Sequence, residues 1–189
     1  MTKMFKIASV AILALSANAA FAQVTAVEGT AATTLNVNLA GTYEITVGQL
    51  SVTIDMNDPQ HFINGNNSGS QSNHVQVSAT GDYQVNVSAA ADLVFGSESI
   101  PVNTVTVTPS LGDYLGAGTS TAPTMTLAST PLATVTDDTD GTTIITSGAG
   151  ESLRGFHVVY AIPAAQASQY LNRPEGIYTT TVTYTLYSL

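Results

Sequence analysis

The chain has 189 residues, a formal net charge of −9 and no cysteine. With 13 acidic residues against four basic ones, it has little means of neutralising phosphates, so nucleic acid and anionic membranes are poor partners. Without disulfides, burial and backbone pairing have to hold any fold together.

The N-terminus opens with Lys3 and Lys6, continues with an apolar run over residues 7–15 and ends in Ala20-Phe21-Ala22. A basic start, a short apolar stretch and small residues at a cleavage site predict a signal peptide over 1–22, with Gln23 as the new N-terminus. The apolar run falls short of the ~20 residues that a membrane-crossing helix needs. No cysteine follows it that could carry a lipid anchor. Cleavage removes both lysines and leaves Arg154 and Arg173 as the basic residues. A chain without lysine forms no Lys–Asn isopeptide cross-link. The expected product is exported to the periplasm, the cell surface or the medium, with no direct membrane insertion.

The remainder is rich in Thr, Val, Ala, Ser, Gly and Asn, and poor in strong helix formers. Residues 23–33 are small and weakly patterned, as in an extended arm, and 34–189 predict one β domain. Leu35, Val37 and Leu39 alternate with Asn36 and Asn38. Tyr43, Ile45 and Val47 continue the period of two, and Leu50, Val52 and Ile54 begin another strand. Residues 56–73 form a polar loop. Val75, Val77 and Ala79 lie on one side of Thr80-Gly81-Asp82, and Tyr83, Val85 and Val87 on the other. That spacing predicts a β-hairpin with the glycine at positive φ. Short strands follow at 93–96, 102–107, 125–128, 142–146, 153–163 and 176–188, with a helical turn at 164–171. About nine to eleven closely spaced strands indicate an all-β sandwich or barrel.

The sequence gives no catalytic set, and a non-enzyme is expected. Gly150-Glu151-Ser152-Leu153-Arg154 starts like a nucleophile elbow, but it ends in Arg and lacks the following helix. His61, His74 and His157 share no ligand spacing. Asp137, Asp138 and Asp140 before Gly141 are a candidate Ca²⁺ site, although Asp-Gly is also a common turn. No organic cofactor is expected. Tyr114 and Tyr170 lie in expected loops, and Asn66-Asn67-Ser68 and Asn86-Val87-Ser88 match glycosylation sequons.

The closing segment has the most specific pattern. Tyr178, Thr180, Val182, Tyr184 and Leu186 alternate with Thr179, Thr181, Thr183, Thr185 and Tyr187. A strand this regular is expected inside a sheet. Residues 176–184, Gly-Ile-Tyr-Thr-Thr-Thr-Val-Thr-Tyr, resemble the closing strand of secreted bacterial immunoglobulin-like subunits, including spore coat U-like pilins of chaperone–usher systems. The resemblance implies an immunoglobulin-like antiparallel β-sandwich and a subunit of a fimbria-like filament or adhesive matrix. Its partners would be further copies or other surface subunits, and a periplasmic chaperone. It also implies strand complementation, with Leu35, Val37 and Leu39 as the donor strand and Val182, Tyr184 and Leu186 in the closing strand. Pilins of that group usually carry a disulfide, which this chain lacks. The candidate arm is 23–39, but the alternation becomes strong only where a first strand is expected, which favours residues 35–39 as the domain's own first strand. The alternative function is a monomeric secreted module that binds a glycan or Ca²⁺ through the 110–152 loops.

Overall fold

A computed structural model describes residues 31–135 and 141–189. The expected signal peptide, residues 23–30 of the arm, and Asp137, Asp138 and Asp140 lie outside the described residues. The chain divides into two units, Met1–Asn38 and Leu39–Leu189. Within the first, residues 31–38 carry neither helix nor strand, and their side chains are exposed.

The second unit is mostly β. In chain order it contains β1 (Tyr43–Val47), α1 (His61–Asn64), β2 (Gly65–Asn67), β3 (Gln71–Ala79), β4 (Tyr83–Ala89), β5 (Leu93–Phe95) and β6 (Glu98–Ile100). There follow β7 (Thr106–Tyr114), β8 (Met125–Leu127), β9 (Thr130–Pro131), β10 (Thr142–Ser147), β11 (Glu151–Pro163), α2 (Ala164–Ala167) and β12 (Val182–Ser188). One sheet has the order β1-β3-β11-β7-β9, with β2 also paired to β11. A second has the order β12-β4-β10-β8, and β5 and β6 form a small third sheet. All these strand pairings are antiparallel.

The period of two explains the core. Val75 and Val77 of β3, Phe156 and Val158 of β11, and Val107 of β7 are buried from the first sheet. Tyr83, Val85 and Val87 of β4 and Ile145 of β10 are buried from the second, and all belong to one apolar cluster. Each such side chain contributes about 1.5–3 kcal/mol on leaving water.

Residues 74–89 do not form the expected hairpin. β3 and β4 belong to different sheets, so Thr80-Gly81-Asp82 is a crossing from one sheet to the other. Paired side by side, the two strands would present their apolar sets on one face of a single sheet. Placed in different sheets, they bury both sets in a shared core. Gly81 does not take positive φ either. A Cβ there would lie 2.8 Å from the Tyr43 hydroxyl, the movable end of an exposed side chain. A two-residue hairpin does join β5 to β6, where Phe95 opposes Glu98 and Gly96 has φ of 60°.

Three other expectations shift. Residues 35–39 are in no strand, and the first strand starts at Tyr43. Residues 50–54 are also irregular: Val52 and Ile54 pack on the core, while Leu50 is 97% exposed. The strand expected at 102–107 starts at Thr106 and runs to Tyr114, held by β11 along its length. The helical turn expected at 164–171 is present as α2 and a 3₁₀ turn over Ser168–Tyr170.

Candidate functional site

Strand β12 is held in the second sheet, as expected, and lies at its border, where among the described residues it pairs with β4 alone. Val182, Tyr184 and Leu186 stand opposite Ala89, Val87 and Val85, all buried, so their side of β12 faces the core. The strand begins at Val182, which leaves Gly176 and Tyr178 of the closing motif outside it. Those two residues hold the β5–β6 hairpin instead. A Cβ at Gly176 would collide with the Phe95 ring, and the Tyr178 ring packs against Phe95 at a centroid distance of 5.6 Å. Thr179 and Val94 exchange two backbone hydrogen bonds of 3.0 Å.

A chain of polar side chains runs from the first sheet to this edge strand. His74 on β3 is 2% exposed. Its Nδ1 lies 2.7 Å from Gln49 Oε1, and its Nε2 lies 2.9 Å from the Tyr160 hydroxyl on β11. The Tyr160 hydroxyl is in turn 2.6 Å from that of Tyr184 on β12. Gln49 also donates from Nε2 to the Ser72 carbonyl, which turns its Oε1 towards His74. The oxygen can only accept, so Nδ1 carries the imidazole hydrogen and Nε2 is the acceptor. Tyr160 therefore donates to His74, and Tyr184 donates to Tyr160. Both tyrosine rings meet His74 edge-on. Burial lowers the His74 pKa from its ordinary value and raises those of Tyr160 and Tyr184, so the chain stays neutral.

A charged arrangement sits at the start of β11. Arg154 Nη2 and Nε reach Glu151 Oε1 and Oε2 at 2.6 and 2.9 Å, and both side chains are buried. Residues three apart on a regular strand point to opposite faces. Here Glu151 pairs with Ala79 and Arg154 with Val77, so a bulge between them brings both to one face. Leu153 absorbs that bulge at φ of 56°. Ser120 Oγ donates to Glu151 at 3.0 Å, and the guanidinium lies 5.3 Å from the centre of the Tyr114 ring. The hydrogen bond to Glu151 is the main cause of a raised Arg154 pKa. Nearby on the same strand, Ser152 Oγ is 2.7 Å from the Tyr114 hydroxyl, so the elbow-like segment is a bulged strand. Residues 39–42, 78–80 and 150–152 line a groove of about 630 Å³ there.

The remaining candidates are dispersed. His61 lies 3.4 Å from Asn66, and His157 Nδ1 accepts the Asn73 amide hydrogen at 2.9 Å. Among the described residues no group of three His, Asp or Glu side chains is placed to hold a metal ion. Tyr170 is half-buried, with its hydroxyl 2.7 Å from Thr104 Oγ1. Asn86 of the second sequon is buried, donating to the Gly141 carbonyl and accepting from Thr143. The Tyr83 hydroxyl is buried with no partner at full hydrogen-bond geometry among the described residues, and burial pushes its pKa up to about 12 against a smaller opposing contact with Ser147. Leu35, Val37 and Leu39 are 84%, 74% and 90% exposed.

The outer face of the second sheet was not legible from any single motif. Its register aligns Thr126, Thr146, Gln84 and Tyr187 in one row, and Thr143, Asn86 and Thr185 in the next. Ser88 and Thr183 form a third, and none of these nine residues is Asp, Glu, Lys, Arg or His. Ser88, Thr183, Thr185, Gly141 and Val135 help to line a groove of about 260 Å³ on it. The spaced threonines of β12 were the available signal, but their neighbours come from strands distant in sequence.

Among the described residues no helix is long and apolar enough to cross a membrane. No protein-family model matches the chain, and no curated protein matches it.

Proposed function

We propose that this protein is a non-enzymatic structural or adhesive subunit, exported to the cell surface, with an immunoglobulin-like β-sandwich that associates by adding strands at its sheet edges. The observation that carries this reading is the segment Leu35, Val37 and Leu39. It alternates apolar residues with asparagines, as a strand does, yet it is exposed and joins no strand. An extended segment of that kind gains both backbone pairing and side-chain burial on reaching an open edge. The border position of β12, with Val182, Tyr184 and Leu186 facing the core, supports the same reading. Further copies of the chain or other surface subunits are the partners, with a chaperone protecting the segment before assembly.

The test is the size distribution of the protein expressed without its signal peptide, beside a variant lacking residues 31–39. Concentration-dependent or SDS-resistant multimers that disappear in the deletion are the expected result. A monomer whose melting temperature and size ignore the deletion overturns the reading.

The uncharged outer face of the second sheet favours a second reading, a monomeric module that binds a neutral glycan. Rows of hydroxyls and amides can exchange hydrogen bonds with a polyhydroxylated chain without stripping water from a charge. Retention of monomer on a neutral polysaccharide resin, lost in Thr183→Glu, supports this second reading. Ca²⁺-dependent stabilisation lost in Asp138→Ala would extend it to the acidic segment before Gly141.

A further inference from the structure

We propose that the Gln49–His74–Tyr160–Tyr184 chain is an acid-sensitive latch that holds the edge strand β12 at neutral pH and loosens it when His74 takes up a proton. The argument rests on counting hydrogens. In the neutral chain two links join His74 Nε2, Tyr160 and Tyr184, and two hydroxyl hydrogens occupy them. A proton on Nε2 brings a third hydrogen to the same two links. Every rearrangement then leaves one buried hydrogen with no acceptor, next to a buried positive charge.

The Gln49 end is indifferent to this event. Nδ1 donates to Gln49 Oε1 whether the ring is neutral or charged, so the stress falls on the tyrosine end. Of the two tyrosines, Tyr160 lies on β11, which pairs on both sides with β2, β3 and β7. Tyr184 lies on β12, which among the described residues pairs with β4 alone. Its hydroxyl reaches water by displacing that strand, at a smaller loss of pairing than moving β11.

No other charge compensates the ring. On β1, Glu44 pairs with Ser78; on β7, Asp113 bonds Asn73; on β11, His157 bonds Asn73, and Glu151 and Arg154 bind each other. Among the described residues none of these groups is within hydrogen-bond or ion-pair distance of the His74 ring. The latch adds to the proposed edge association a condition under which the edge opens, and it holds equally for a monomer.

The test is amide hydrogen exchange of the whole mature chain between pH 7.5 and 5, normalised for intrinsic exchange, in wild type, Tyr184→Phe and His74→Gln. Wild-type β12 amides are expected to lose about tenfold of their protection on acidification while β1 amides keep theirs. Tyr184→Phe has no hydroxyl to strand at that position, and its β12 protection is expected to be independent of pH while the His74 ring still titrates by NMR. His74→Gln should abolish the response altogether. Equal protection of wild-type β12 across the range, or an undiminished response in Tyr184→Phe, overturns the latch. Neither outcome touches the multimer test above when that test is run at neutral pH.

Discussion

Two buried polar clusters make opposite use of the same strand. Near its start, β11 buries an ion pair three residues apart, Glu151 and Arg154, which satisfy each other locally. Further along, Tyr160 joins a neutral chain that connects Gln49, His74 and Tyr184 and so links the two sheets. The first is local and charged; the second is long-range and uncharged. A local pair fixes the geometry of a bulge, whereas a long-range chain couples elements that are otherwise free to part. Damage to the first should therefore destabilise the whole domain, and damage to the second should show itself at an edge.

The largest contrast comes from breaking the pair on one side. Arg154→Met leaves Glu151 buried without a counter-charge and should cost about 3–5 kcal/mol in urea denaturation. The double variant Glu151→Leu/Arg154→Met should recover most of that loss. If the single and double variants are equally unstable, the pair matters for shape and not for charge balance. The second effect is pH-dependent and belongs to the neutral chain. The folded-state pKa of His74 lies below its unfolded value, so the unfolded chain takes the proton first. The stability this contributes is complete above about pH 6.5 and declines as pH falls through that value towards the folded pKa. Each unit of depression is worth about 1.4 kcal/mol. The urea midpoint of wild type should fall across this window more steeply than that of His74→Gln.

Smaller still is Tyr184→Phe at neutral pH, which removes one hydrogen bond and should cost about 0.5–1.5 kcal/mol. Tyr83→Phe is the control at the bottom of the scale. Its hydroxyl is buried with no partner at full hydrogen-bond geometry among the described residues, so its removal should leave the melting temperature unchanged or slightly raised. A loss there comparable to that of Tyr184→Phe would mean that the Tyr83 hydroxyl has a partner after all.

The same comparison marks what the sequence could and could not disclose. Period-two alternation located the apolar residues of β3, β4, β11 and β12, because that pattern is local. It did not separate β3 from β4 into different sheets, since a hairpin and a crossing share the same apolar spacing. Nor did it distinguish Leu35, Val37 and Leu39, which are exposed, from Val182, Tyr184 and Leu186, which face the core. Alternation says that a segment can pair, and not with what. The inward turn of Glu151 and Arg154 depends on Leu153 at positive φ, a conformation that leucine seldom adopts and that no turn residue announces. The His74 chain joins positions 49, 74, 160 and 184, so it exists only once both sheets have formed.

The crossing at Thr80-Gly81-Asp82 also governs the order of assembly. Because consecutive strands go to different sheets, neither β3 nor β4 can use the other as a template. Gln76 waits for Gly155 and Val85 for Leu186, so both sheets are completed by the last fifth of the chain. Such long closures slow folding and keep apolar strands uncovered until the end is available. A chain truncated before β11 would be two unfinished sheets rather than a smaller domain, with β3 paired to β1 and β4 to β10 but each left with one open edge.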